Sequence, residues 1–97
     1  MDHDNVNHPA HYTNGGVECI DAIRSSMSEE AFAAYCKGNV IKYLWRYENK
    51  GGLEDLEKAR VYLGWLIDTQ QAIQAKTDEY IRRFLEKERD RAAKEGA

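Results

Sequence analysis

An all-α fold is predicted by three features of this chain. It has a single proline among 97 residues, and its second half is dominated by Ala, Leu, Glu, Lys, Arg and Gln. An apolar seven-residue repeat runs through that half. The architecture expected from them is a short N-terminal arm and helix, a central helix, and a long C-terminal helix that self-associates in a coiled-coil-like or helical-bundle oligomer. Residues 1–97 make one domain with a modest core, and chains of this size often lean on association for stability.

Residues 1–16 form a polar arm without period, in which Pro9 and the Asn14-Gly15-Gly16 run mark turns. From Val17 the spacing Val17, Ile20, Ile23, Met27 predicts a helix over 17–25, with Glu18, Asp21 and Arg24 turned outward. Ser26 or Ser28 can cap the next helix, expected over 27–48, and Ser26 has Glu29 three residues on, as in a capping box. Phe32, Cys36, Val40, Leu44 and Tyr47 define its apolar face. Gly38 weakens that helix by roughly 1 kcal/mol relative to Ala, which suggests that something approaches the backbone closely there. Asn49-Lys50-Gly51-Gly52 ends it, glycine being able to supply the left-handed conformation that helix ends prefer.

The last helix is expected over 53–93. Leu56, Leu63, Gln70, Thr77 and Phe84 recur every seventh residue, and Ala59, Leu66, Ile73 and Tyr80 recur three places later in each heptad. Unbroken, it would extend roughly 60 Å at about 1.5 Å per residue. A chain this short cannot cover so long an apolar stripe alone, hence the expectation of a homo-oligomer. The alternative is a break near 76–78, with the tail folding back.

Chemistry concentrates on the central helix. At about 100° per residue, Tyr35, Asn39, Lys42, Tyr43, Arg46 and Lys50 fall within roughly one quarter of the circumference, bordering the apolar face. Lysine and arginine one turn apart, with no acid between them, repel mildly and add nothing to helix stability. Beside a pocket they would hold phosphate well, Arg46 as a planar fork and Lys42 as a point charge. Tyr43 and Tyr35 could stack on a base and Asn39 could hydrogen-bond its edge. The competing interpretation is a solvated basic face that pairs with acids of a neighbouring subunit.

Lys50-Gly51-Gly52 could cradle an anion on the N–H groups opening the last helix, or simply make an interhelical turn. Glu54, Asp55 and Glu57 follow at once and would compete with a phosphate unless Lys58 and Arg60 offset them. No G-x-x-x-x-G-K-[ST] motif occurs. In the arm, His8, His11 and Tyr12 can pin the chain by hydrogen bonds or supply donors to a ligand. Metal ligation by the two histidines with Glu18 or Cys19 lacks a second ligand pair, so no metal or cofactor is assigned. Trp45, Trp65 and Tyr62 lie off the apolar stripes and are expected to pack between helices or subunits, with base stacking as the sharper alternative.

The formal net charge of −3 argues against a broad nucleic-acid surface. Cys19 and Cys36 sit within apolar helical patterns and are read as small buried hydrophobes rather than a disulfide. No apolar run approaches the length of a membrane span, and the opening Met1-Asp2-His3-Asp4-Asn5 is the opposite of a signal peptide's start. A location in the cytoplasm, that of the host cell if the protein is viral, is expected, with no membrane partner.

Several blocks together resemble one family: Asn7-His8-Pro9-Ala10-His11-Tyr12, residues 16–23, residues 38–47, Lys50-Gly51-Gly52 with Glu54-Asp55-Leu56, then Lys58-Ala59 and Tyr62-Leu63. Their order and spacing over roughly residues 5–67 resemble the SaV-like domain of tailed phages. Members occur alone or attached to phage nucleotide kinases that lack a Walker motif, so the resemblance implies nucleotide handling. Three functions compete. One is a protein that sequesters a phosphorylated nucleotide, including a cyclic dinucleotide, as a counter-defence sponge. Another is a nucleoside monophosphate kinase or its accessory, for which no convincing metal carboxylates or base can be picked out. The last is a module binding nucleic acid or a host protein.

Overall fold

The computed structural model describes residues 13–14 and 17–96, with strands and helices in the order β1 (Thr13–Asn14), β2 (Val17–Glu18), α1 (Cys19–Ser25), α2 (Glu29–Arg46), a π-helical turn (Tyr47–Gly51) and α3 (Gly52–Glu95). The fold is helical apart from one antiparallel pair of two-residue strands, Thr13 opposite Glu18 and Asn14 opposite Val17. That pair corrects the expected start of the first helix. Val17 and Glu18 are extended and α1 begins at Cys19.

Capping decides where α2 begins. Ser28 is extended, and its Oγ accepts a hydrogen bond from the Ala31 N–H at 3.1 Å. Glu29 and Glu30 then complement the positive end of the helix dipole. Ser26 instead serves the end of α1, donating from Oγ to the Ile23 carbonyl at 2.7 Å. At the other end, α2 widens into the π turn, and the Gly52 N–H donates to the Tyr47 carbonyl five residues back. Gly52 has φ 55°, ψ −137°, the one positive φ among the described residues, and a side chain there would be strained. The chain reverses at this point and α3 returns along α2.

The hairpin buries a short core. Phe32 (1% exposed), Cys36 and Ala59 are its fully buried apolar residues, and Asp55 and Thr69 are buried polar ones. Burying one side chain of phenylalanine size is worth about 1.5–3 kcal/mol. Thr69 satisfies its hydroxyl on the Trp65 carbonyl of its own helix at 2.8 Å. Both cysteines are free, and burial raises the Cys36 thiol above its ordinary pKa, opposed by the charge of Arg24. α1 lies against the open end of the hairpin, where the Arg24 guanidinium sits 4.7 Å from the Phe32 ring centroid. Gly38 has nothing within 4 Å of where a Cβ would stand, so none of the described residues makes the close approach expected there.

α3 is continuous over 44 residues and passes through Lys76, Thr77 and Asp78 without a break. The Lys76 ammonium pairs with Glu29, the first residue of α2, at 2.7 Å. Beyond that point α3 has no α2 beside it, and about 19 residues project for roughly 28 Å at the helical rise. The radius of gyration is 20.2 Å and the longest dimension 70 Å. A compact chain of this length would have a radius near 12–13 Å. Among the described residues, no helix is long and apolar enough to cross a membrane.

Candidate functional site

One side of the hairpin gathers aromatic rings and cations from both helices. Tyr62 of α3 is its centre. It stacks on Tyr43 of α2 (centroids 5.9 Å, planes 24° apart) and meets Tyr35 and Trp65 edge-on at 5.9 and 5.2 Å. Residues 35, 43 and 46 repeat at roughly helical periods on α2, as do 55, 58, 62 and 65 on α3, so antiparallel packing brings the two sets together. Around the Tyr43 ring lie Lys42 Nζ at 4.4 Å, Arg46 Cζ at 4.9 Å and Lys58 Nζ at 5.7 Å. The two ammonium groups are therefore no more than about 10 Å apart, and a phosphate chain is long enough to touch both.

Arg46 is not a free fork. Its Nε and Nη2 donate to Asp55 Oδ2 and Oδ1 at 3.1 and 3.3 Å, and the Asp55 side chain is 2% exposed. These hydrogen bonds first, and then the charge of Asp55, hold the guanidinium above its ordinary pKa. The same carboxylate occupies the space over Gly51, where a Cβ would come within 2.0 Å of Asp55 Cγ and Oδ2. Asp55 thus stands where the glycine pair was expected to cradle an external anion. The protein supplies its own carboxylate to the arginine fork, and that carboxylate lies against Gly51. The acid that meets Arg46 comes from the next helix of the same chain.

The remaining expected residues divide. Lys42 and Tyr43 are in the cluster, and Lys42 has no carboxylate partner among the described residues. Asn39 is half-buried, and its Nδ2 donates to the Tyr35 carbonyl at 3.0 Å, which commits that N–H to its own helix. Lys50 lies exposed on the π turn. His8, His11 and Tyr12 lie outside the described residues. Trp45 is 85% exposed, away from the cluster, whereas Trp65 and Tyr62 are part of it. No group of three His, Cys, Asp or Glu side chains converges on a metal position among the described residues.

Two members of the cluster were given other roles by the sequence. Lys58 was read as offsetting nearby acids, and it does pair with Glu54 at 3.4 Å, but it also reaches the Tyr43 ring. Asp55 was read as a competitor for phosphate rather than as the partner of Arg46. The available signal was its distance from Arg46, nine residues across a glycine turn, which places the last turn of one helix opposite the first turn of the next.

Two phage proteins are similar to part of the chain. The Gene 1.7 protein of Enterobacteria phage T3 is 45% identical over 62 residues, 59% of this chain and 38% of that protein. Nucleotide kinase gp1.7 of Escherichia phage T7 is 43% identical over 54 residues, 55% of this chain and 28% of that protein. The chain therefore matches well under half the length of either relative. No solved structure matches it. The domain family DUF3310, described as proteins of unknown function, matches residues 6–64. That segment holds α1, α2, the π turn and the ring-and-cation side of α3 as far as Tyr62, and this chain belongs to the DUF3310 family.

Proposed function

We propose that this chain is a phage nucleotide-binding module of the SaV-like type, which takes phosphate on Lys42 and Lys58 beside the Tyr43–Tyr62 stack. The observation that carries the proposal is the convergence of two lysines from different helices on one tyrosine ring. Ammonium groups spaced in this way suit the oxygens of a phosphate chain, and the neighbouring rings suit a nucleobase. Arg46, held by Asp55, fixes the Tyr43 side of the cluster and keeps part of its guanidinium edge available. The name of the T7 relative, a nucleotide kinase, lends support to nucleotide as the ligand class. In the finer form of the proposal the ligand is sequestered intact, cyclic dinucleotides included, as a counter-defence sponge. His8, His11 and Tyr12 of the arm, with Asn39 and Lys50, remain candidate contacts.

Phosphoryl transfer is the second reading, favoured by the same relative's name. Titration calorimetry against cyclic dinucleotides, nucleoside monophosphates and nucleoside triphosphates, with the recovered ligand analysed, separates the two. Binding with intact ligand returned supports sequestration, and metal-dependent conversion that persists through purification supports the kinase. Replacing Lys42 and Lys58 together by Ala should weaken binding about a hundredfold or more, since each of the two charge-assisted contacts is worth about 1.5–3 kcal/mol. Unchanged affinity in a folded double variant would remove the lysine site.

A further inference from the structure

On the side of the hairpin opposite the ring cluster several aliphatic side chains are uncovered. Leu44 is two residues from both Lys42 and Arg46, about 200° round α2 from each, and is 49% exposed. On α3, Leu63 and Ile67 are 43% and 49% exposed, and on the projecting part Ile81 and Leu85 are 49% and 59% exposed. Leu63 and Ile81 are 18 residues apart, as are Ile67 and Leu85. Eighteen residues make about five turns at roughly 3.6 residues per turn, so all four point to the same side. Between them the strip passes over Gln70 and Gln74, which are uncharged. One strip therefore runs from the hairpin onto the projecting arm.

We propose that a second copy of this chain covers that strip, packing α3 against α3. Area supports an occupant of this size. The accessible surface is 7528 Å², against roughly 5,700 Å² for a compact monomer of this mass. The surplus, roughly 1,800 Å², is of the order that one partner buries in an obligate dimer. Charge supports a copy over other partners. Residues 77–95 carry six acidic and six basic side chains, so the arm has no net charge to select a partner of opposite sign. Several of these charges already pair along the helix, Glu79 with Arg82 and Arg83 among them. The balance also disfavours an anionic membrane, which selects a basic polar face. Length points the same way, because a strip spanning most of α3 is matched by another α3. Self-association would use the aliphatic side and leave the ring-and-cation side open.

Sedimentation equilibrium of the full chain across micromolar concentrations tests this. The expected mass is twice 11.2 kDa or a higher whole multiple of it. Ile81→Glu with Leu85→Glu should return it to the single-chain mass while helicity by circular dichroism is kept. If that variant loses helicity, Ile81→Gln with Leu85→Gln, which adds no charge and uses a good helix former, should show the same dissociation. A wild-type chain at 11.2 kDa throughout overturns the proposal. So does a multiple that neither pair of substitutions alters, because the contact then lies elsewhere. A monomer that co-sediments with phosphatidylcholine–phosphatidylglycerol vesicles overturns it in favour of a membrane surface.

Discussion

The closed end of the hairpin and the projecting arm of α3 use the same chemical pair, arginine with a carboxylate, to opposite effect. At the closed end Arg46 grips Asp55 with two hydrogen bonds, and the carboxylate is 2% exposed. On the arm Arg82 contacts Glu79 and Glu86 along one helix, with its own side chain 58% exposed and theirs 40% and 45%. Exposed pairs three or four residues apart are worth a few tenths of a kcal/mol and are screened by salt. A buried carboxylate that loses its partner is costly, because its charge is left without water or a counterion. Burial, rather than the identity of the pair, therefore decides that one organises the turn and the other only decorates a helix. Among the described residues, all the buried ones, from Phe32 to Thr69, lie in the hairpin and none in the arm.

Breaking the closed end should have the largest effect. Arg46→Ala leaves the Asp55 carboxylate, 2% exposed, without its counterion, and the melting temperature followed by circular dichroism should fall by about 15 °C. A fall of only a degree or two would mean that the pair does not hold the turn. Gly51→Ala attacks the same contact by bulk alone, since the new methyl collides with the Asp55 carboxylate. A fall of about 8 °C is expected from overpacking of this kind. Gly38→Ala should act in the opposite direction, raising the melting temperature by about 4 °C, because open space there leaves only the gain in helix propensity.

On the arm the effects should be small and set by pH. Hydrogen bonds from Arg82, then from Arg83, hold the Glu79 carboxyl below its ordinary value of 4.5. A depressed carboxylate contributes stability above its unfolded-state pKa and loses it as pH falls through the folded value. Glu79→Gln should therefore shift melting by less than about 2 °C at neutral pH, and the difference from wild type should vanish in acid. Lys76, raised above 10.5 by its hydrogen bond to Glu29 and by that residue's charge, has the opposite sign. Its contribution is present below 10.5 and disappears as pH rises through the folded value. A Glu79→Gln difference that persists at low pH would show the arm to be held by something other than these pairs.

The helices themselves were legible because their signals are local. Apolar spacing, Ser28 before two glutamates and the glycine pair after Lys50 all act within a turn or two of the chain. The first-helix boundary at Cys19 was not, since Val17 fits an apolar helical spacing yet, with Glu18, pairs with residues 13 and 14 as a strand. Gly38 shows the same limit in reverse. A glycine within a helix is a signal of close approach, but only the packing reveals that nothing approaches it.

By itself the sequence determined a predominantly helical fold with a long C-terminal helix, and it placed Tyr35, Lys42, Tyr43 and Arg46 along one stripe. Those properties follow from spacing along one helix, and spacing is written in the chain. Only the tertiary structure decided that Asp55 takes the arginine fork, that Lys58 and Tyr62 join the stripe, and that α3 continues past its partner helix without a break. Each of those depends on how two helices meet across a turn, where a change in the π turn of one residue would rotate α3 by about 100° and bring a different face to α2.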